Sequence, residues 1–105
     1  MPYNLASLSN RKRTLSLSDR VAALSPRQRE VVRLVSLGCS VPEIAAILGV
    51  AWRTVANHRV WAMKALGVEK APLLTHIAIK HGISPIDDES TRTEKRRLNA
   101  ARRSA

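Results

Sequence analysis

Short amphipathic segments alternate with single glycines between residues 24 and 83, and this alternation constrains the fold more than any other feature of the chain. The four segments read LSPRQREVVRLVSLG, CSVPEIAAILG, VAWRTVANHRVWAMKALG and VEKAPLLTHIAIKHGI. Apolar residues recur within them at three- and four-residue spacing, which is the period of a helix with one buried face. A glycine beyond the last apolar position supplies the left-handed backbone in which many helices end. The pattern predicts an all-α fold.

The first two predicted helices begin with the same capping signal. Ser25 is followed three positions later by Gln28, and Ser40 is followed three positions later by Glu43. In such a capping box the serine oxygen accepts from a free backbone N–H, and the Gln or Glu side chain accepts from the serine N–H. A proline stands in the first turn of each helix, where its missing N–H is not needed. These signals locate both helix starts.

The third helix is predicted from about Trp52 to Leu66, and the fourth ends at Gly82. Ala51 stands where a capping side chain would help, so the third helix is expected to start without one. A shorter segment, SDRVAAL, precedes the four helices, and we expect Ser18 to cap its one or two helical turns.

Only a few residues join the second and third predicted helices. Two short helices joined by a tight turn, with the second open to solvent on one side, form a helix-turn-helix that can read a groove of duplex DNA. The charge agrees with this interpretation, because 18 Lys and Arg against 8 Asp and Glu give the 105 residues a formal net charge of +10. A chain this basic suits a polyanionic partner.

Charge and polarity divide the chain into three predicted parts. Residues 1–17 form a flexible basic N-terminal arm, residues 18–83 the helix-turn-helix DNA-binding domain, and residues 84–105 a charged C-terminal tail. The central part is basic in its own right, since residues 21–83 hold eight basic and three acidic side chains. We expect both tails to be too polar to join a core, and we leave open whether the C-terminal tail is coil or becomes helical on binding.

Several classes of protein are disfavoured by what the sequence holds. A single cysteine, Cys39, excludes an internal disulfide and suits a reducing cytoplasm. We predict no enzyme, no catalytic residue, no metal and no cofactor, because no nucleophile arrangement, Gly-rich phosphate loop or metal-ligand cluster is visible. The longest apolar run is nine residues, too short to cross a membrane. The predicted location is therefore cytoplasmic and nucleoid-associated; the alternative is that the Ser-, Leu- and Arg-rich residues 1–18 are an organellar transit peptide.

Six pieces of sequence stand in the order and spacing of a known family. They are LSPRQREVVRL, the turn from Gly38 to Ser40, EIAAILGV, TVANH, MKALGV and the closing KHGI. Together they resemble the DNA-binding domain of LuxR-type (GerE-like) bacterial transcriptional regulators, here as a stand-alone domain. The resemblance implies four helices, of which the second and third form the helix-turn-helix, the third enters the major groove and the fourth supports dimerisation. Region four of sigma factors shares the first three pieces but lacks the LGV exit and the fourth helix.

The resemblance also implies roles for residues of the third helix. Thr54 would touch a phosphate, and Lys64 would lie over the DNA backbone. The residues that would face base edges are Arg53, Ala56, Asn57 and Val60. Positions 56 and 60 depart from the family pattern, in which the first is usually basic and the second usually polar. Either these apolar side chains pack on thymine methyl groups, or the exposed apolar surface of this helix, which includes Trp52 and Trp61, binds another protein.

Arg53 and Asn57 lie four residues apart on one helical face, so both can enter one groove. Arginine pairs with guanine and asparagine with adenine in the major groove; the alternative for Arg53 is a phosphate contact. The basic runs outside the helix-turn-helix either add phosphate contacts or are merely solvated. Those runs are Arg11-Lys12-Arg13, Arg96-Arg97 and Arg102-Arg103.

Leu73 and Ile79 lie off the inward stripe of the fourth helix, and a small domain has little else to cover them. We therefore predict a homodimer on double-stranded DNA, with Leu73, Ile77 and Ile79 at its interface. The alternative is that the SDRVAAL segment folds back over these side chains. The alternative function is a protein-interaction module that binds another regulator or RNA polymerase.

Overall fold

A computed structural model describes residues 16–104, and this part of the chain consists of six helices with no strand. The helices are α1 (Leu17–Ala22), α2 (Pro26–Ser36), α3 (Val41–Leu48), α4 (Trp52–Leu66), α5 (Ala71–Lys80) and α6 (Arg92–Ser104). The all-α prediction is confirmed, and the four predicted helices are α2 to α5.

The predicted capping boxes form at the starts of α2 and α3. Ser25 Oγ accepts from the Gln28 backbone N–H at 3.1 Å, and Gln28 Oε1 accepts from the Ser25 N–H at 2.9 Å. Ser40 and Glu43 make the same pair of bonds at 3.3 and 2.8 Å. The predicted cap of α1 is wrong by two residues: Ser16, whose Oγ accepts from the Asp19 N–H, is the cap, and Ser18 lies within the helix.

Two apolar clusters lie on either side of α2. The buried residues of cluster A are Val21, Leu24, Val32, Ala62, Leu66, Leu74, Ile77 and Ala78. Those of cluster B are Val31, Leu34, Cys39, Ile44, Ala45, Ile47, Val55 and Leu98. Because α2 contributes to both clusters, it is the central support of the domain.

The recognition candidate α4 is also anchored in both clusters. Val55 near its start belongs to cluster B, whereas Ala62 and Leu66 in its second half belong to cluster A. Helices α1, α2 and α3 all pack against it. A helix held at both ends against three others presents its outward side chains on a rigid support.

The expectation that the C-terminal tail is too polar to join a core is wrong. Helix α6 packs along α3, and Leu98 is buried in cluster B with 8% of its surface exposed. Thr91 caps the helix: its Oγ1 accepts from the Glu94 N–H, and Glu94 Oε1 accepts from the Thr91 N–H. A single buried leucine is enough to dock α6, because polar side chains before and after Leu98 bond to α2 and α3.

Candidate nucleic-acid interface

Four predicted site residues of α4 form a line on the side opposite the core. Val55, Ala62 and Leu66 are at most 4% exposed. Successive residues of a helix are rotated by about 100°, so the positions opposite this buried stripe are 53, 57, 60 and 64. The side chains there are Arg53, Asn57, Val60 and Lys64, and all four are exposed. We call this line the groove stripe; its length is about 16 Å at the helical rise per residue.

The other two predicted residues flank the groove stripe. Thr54 is exposed on one flank and Ala56 is half-buried on the other. Ala56 and Val60 line one shallow depression together with Met63. Ala56 and Val60 therefore form a small continuous apolar surface beside the polar residues of the groove stripe.

The turn between α3 and α4 sets the angle at which the groove stripe is presented. Gly49 ends α3 with a φ of 70°, a left-handed conformation that side chains other than glycine adopt at a cost. The Val50 N–H then donates to the Ala45 carbonyl at 3.1 Å, which closes the turn. Only Gly49, Val50 and Ala51 separate the two helices. The tight turn predicted from the sequence is present.

The charge of α4 is of one sign. Its basic residues are Arg53, Arg59 and Lys64, and none of its 15 residues is acidic. Arg59 is half-buried beside the stripe. Helix α4 therefore offers positive charge and hydrogen-bond donors on a convex ridge, which matches a groove between phosphate backbones.

The two tryptophans of α4 do not form one patch. Trp52 is 63% exposed and Trp61 is 52% exposed, but they lie nine positions apart, which is about two and a half helical turns and places them on opposite sides of α4. Trp61 packs against the ring of His58 in an edge-on contact, with the ring centroids 5.5 Å apart. A single flat partner cannot cover both indoles.

The sequence of this domain matches a known family. Residues 22–78 match the GerE model, described as bacterial regulatory proteins of the luxR family. The chain belongs to this family. It therefore carries a LuxR-type DNA-binding helix-turn-helix domain, formed by α3 and α4, as the resemblance implied.

Several transcriptional regulators are similar to this luxR-family chain. The transcriptional activator protein YukR of Yersinia ruckeri is 41% identical over 71 residues, which cover 68% of this chain and 30% of that protein. The transcriptional regulatory protein FixJ of Azorhizobium caulinodans is 35% identical over 72 residues, covering 69% and 34%. The oxygen regulatory protein NreC of Staphylococcus aureus is 36% identical over 67 residues, covering 64% and 31%. The chain thus spans about a third of the length of these relatives. No solved structure matches it.

The predicted dimer residues divide into two kinds. Leu73 and Ile79 are 53% and 39% exposed on α5, whereas Ile77 is 8% exposed and belongs to cluster A. Ile77 is therefore corrected to a core residue, because it continues the stripe of Leu74 and Ala78. The SDRVAAL segment does not cover the other two: its helix α1 packs against α4.

The remaining sequence features are the N-terminal basic arm, Cys39, and the question of metal-binding or membrane-spanning segments. The arm residues Arg11, Lys12 and Arg13 lie outside the described part of the chain. Cys39 is buried in cluster B, and burial raises the pKa of its thiol. Residues 16–104 hold no group of His, Cys, Asp or Glu side chains that could bind a metal ion. Among the described helices, none combines the length and the apolar character that spanning a bilayer requires.

The attachment of α6 was missed by reasoning from the sequence. Arg33 of α2 donates to Asp88 at 2.9 Å and to Glu94 at 2.8 Å, and Arg102 of α6 donates to Glu43 of α3 at 2.6 Å. The signal that could have revealed α6 is Thr91 followed three positions later by Glu94, the same capping pattern that located α2 and α3.

Proposed function

We propose that this chain binds duplex DNA sequence-specifically, with α4 in the major groove, and thereby regulates transcription in the bacterial cytoplasm and nucleoid. The observation that carries the proposal is the groove stripe. Its polar and basic side chains face away from both clusters, on a helix anchored at each end. Membership of the luxR family supports it, and so do the similar proteins, which are named as transcriptional activators and regulators.

The chemistry of each stripe residue suggests its partner. Arg53 can donate two hydrogen bonds to a guanine edge, and Asn57 can both donate to and accept from an adenine. Val60, with Ala56 beside it, suits the methyl group of thymine. Lys64 and Thr54 lie at the end and flank of the stripe, where phosphates pass. In this arrangement Arg53 and Asn57 specify the sequence, and Lys64 and Thr54 position the helix.

We propose that the DNA complex contains two copies of the chain. Leu73 and Ile79 leave apolar surface on α5, which packs on α2 on a different side of the domain from α6. A two-fold pair would cover this surface and would bind two half-sites about one helical turn apart. The alternative, a module that binds another regulator or RNA polymerase, gains no support from the two tryptophans, because they point to opposite sides of α4.

Selection from random duplexes tests the proposed function. The full chain should enrich a short motif that occurs twice with two-fold or direct symmetry. The Asn57→Ala variant should enrich a weaker motif that has lost its preference at particular base pairs. An Arg27→Gln variant is the control, because Arg27 lies at the start of α2, outside the groove stripe and α5, and it should return the unaltered motif. Failure to enrich any motif with the wild-type chain, at low and at high salt, would contradict the proposal.

A further inference from the structure

Helix α6 is the most basic element of the described chain. Its 13 residues include six Lys or Arg side chains and one acidic side chain, Glu94. It lies outside residues 22–78, which match the luxR family model. The helix therefore adds a charged surface to the helix-turn-helix that the family domain does not supply.

Two of the six basic side chains attach α6 to the first helix of the helix-turn-helix. Arg97 Nη1 donates to the Ile47 carbonyl at 2.5 Å, and Arg102 Nε donates to Glu43 Oε2 at 2.6 Å. Leu98 is buried between them in cluster B. Ile47 is near the end of α3 and Glu43 is near its start, so α6 runs antiparallel to α3 with its C-terminal end beside the first turn of that helix.

Three other basic side chains form a stripe that faces away from α3. At about 100° per residue, positions 92, 96 and 103 fall within about 40° of one another and on the side opposite Leu98. Arg92, Arg96 and Arg103 are exposed. Within residues 16–104 none of these three arginines takes part in an ion pair. We call them the outer arginine stripe; it extends for about 16 Å.

The position of α3 indicates what the outer arginine stripe faces. When the second helix of a helix-turn-helix lies in the major groove, the first helix crosses the phosphate backbone. Helix α6 is fixed along α3, so its outer arginines lie beside the helix that would cross the backbone. Arginine forms strong paired hydrogen bonds with phosphate oxygens, and such contacts are independent of base sequence.

We propose that α6 is a second DNA-binding element, whose outer arginine stripe binds the phosphate backbone flanking the groove that α4 occupies. This inference rests on the proposed function, since it takes α4 to lie in the major groove. It divides the basic residues of α6 by role: Arg97 and Arg102 hold the helix on α3, Arg92, Arg96 and Arg103 bind phosphates, and Lys95 pairs with Glu89.

The test is the salt dependence of binding by the full chain carrying Arg92→Gln, Arg96→Gln and Arg103→Gln together. Each phosphate contact contributes about 0.9 to the slope of log affinity against log salt, so the slope should fall by up to ~2.7. Affinity near 100 mM salt should fall about tenfold or more for the selected duplex and for a random duplex of equal length alike. The motif enriched from random duplexes should be unchanged.

Two controls separate a phosphate contact from other effects. Arg→Lys substitutions at the same three positions keep the charge and should keep most of the slope. Arg27→Gln removes a positive charge outside the groove stripe, α5 and α6, where Arg27 pairs with Glu30 at 3.7 Å, and should leave the slope nearly unchanged. Circular dichroism should show equal helix content in all variants, because the three outer arginines are exposed and lie on the side of α6 opposite Leu98.

The outcomes distinguish this inference from the proposed function. An unchanged slope in the triple Gln variant would overturn the role of α6 while the selected motif still stood. A loss of affinity for the selected duplex alone would also overturn it, because the stripe would then be reading bases. Failure of the wild-type chain to select any motif would contradict the proposed function, whereas the slope on random duplexes would still measure the phosphate contacts.

Discussion

At the scale of single residues, the groove stripe combines two kinds of chemistry that act differently on DNA. Asn57 can make paired hydrogen bonds only with the matching base, so its contribution depends on sequence. Lys64, two turns further along α4, offers a point charge that any phosphate satisfies. Both are exposed and neither supports a cluster, so we expect substitutions there to change DNA binding without changing the fold.

We expect Asn57→Ala and Lys64→Gln to separate specificity from affinity. Asn57→Ala should weaken binding to the selected duplex by about 1–3 kcal/mol and flatten the preference at one base pair, with little effect on a random duplex. Lys64→Gln should weaken both duplexes by the same factor and lower the salt slope by about 0.9. Titrations of both duplexes over a salt series measure these effects. Identical behaviour of the two variants would contradict the division of roles along the stripe.

At the scale of helices, the attachment of α6 depends on charged groups that are mostly covered. The side chains of Arg33 and Asp88 are 23% and 17% exposed. The Arg33 guanidinium, with a second hydrogen bond from Ser84, holds the pKa of Asp88 below its ordinary value. Burial would raise the pKa of Glu94, but the Thr91 N–H and the Arg33 guanidinium together outweigh it and the pKa is lowered. Both carboxylates therefore stabilise the docked helix while they are ionised.

Acid should release α6 before it unfolds the rest of the domain. A carboxyl group with a lowered pKa contributes stability that is present above its ordinary pKa and is lost as the pH falls through the folded-state value. The contribution of Asp88 and Glu94 should be complete above about pH 5 and should be lost progressively below about pH 4, as the pH falls through their lowered folded-state pKa values. Amide hydrogen exchange around Leu98, followed across this range, should show the loss as faster exchange in α6 than in α2.

Substitution at adjacent aspartates supplies the matched comparison. Asp88→Asn removes the carboxylate that accepts two hydrogen bonds from Arg33 and should lower the free energy of α6 docking by about 1–3 kcal/mol at neutral pH. Asp87→Asn changes an exposed neighbour outside this network and should have little effect. Equal protection of the α6 amides in the two variants would show that the Arg33 pairs do not hold the helix.

At the scale of the whole molecule, the apolar surface of α5 is divided. Leu73 and Ile79 are rotated by about 120° from each other around the helix, with the exposed His76 and Lys80 between them. A partner helix crossing α5 can cover both only if it also accommodates these polar side chains. The proposed dimer is therefore expected to be weak in solution and to strengthen when DNA holds the two copies together.

Leu73→Glu should abolish the paired complex and leave the monomer folded. A buried carboxylate at an apolar interface is strongly disfavoured, whereas Leu73 is more than half exposed in the monomer. Sedimentation should show two wild-type copies on the selected duplex and one copy of the variant. Ile86→Glu is the control, because Ile86 is 86% exposed in the connection between α5 and α6. A single wild-type copy on the duplex would contradict the dimer.

The sequence alone determined the core of this domain because its signals act over short distances. A serine and the Gln or Glu three residues beyond it bond within one turn, so Ser25 and Ser40 located the starts of α2 and α3 correctly. The family resemblance indicated the residues of the groove stripe, whereas the apolar period predicted α4 itself, whose Val55, Ala62 and Leu66 are buried on the opposite side. The same rule identified α5, although Ile77 was assigned to an interface rather than to the core.

Only the tertiary structure showed that the C-terminal segment docks on α2 and α3. Arg97 reaches a carbonyl 50 residues earlier in the chain, and Arg33 pairs with acids 55 and 61 residues later. No local pattern predicts such partners. An arginine that docks a helix and an arginine that faces solvent are the same residue type, and the sequence around them does not distinguish the two. The capping signal at Thr91 could have predicted the helix, but the burial of Leu98 depends on the space that α2 and α3 leave between them. That space exists only once the helices have packed.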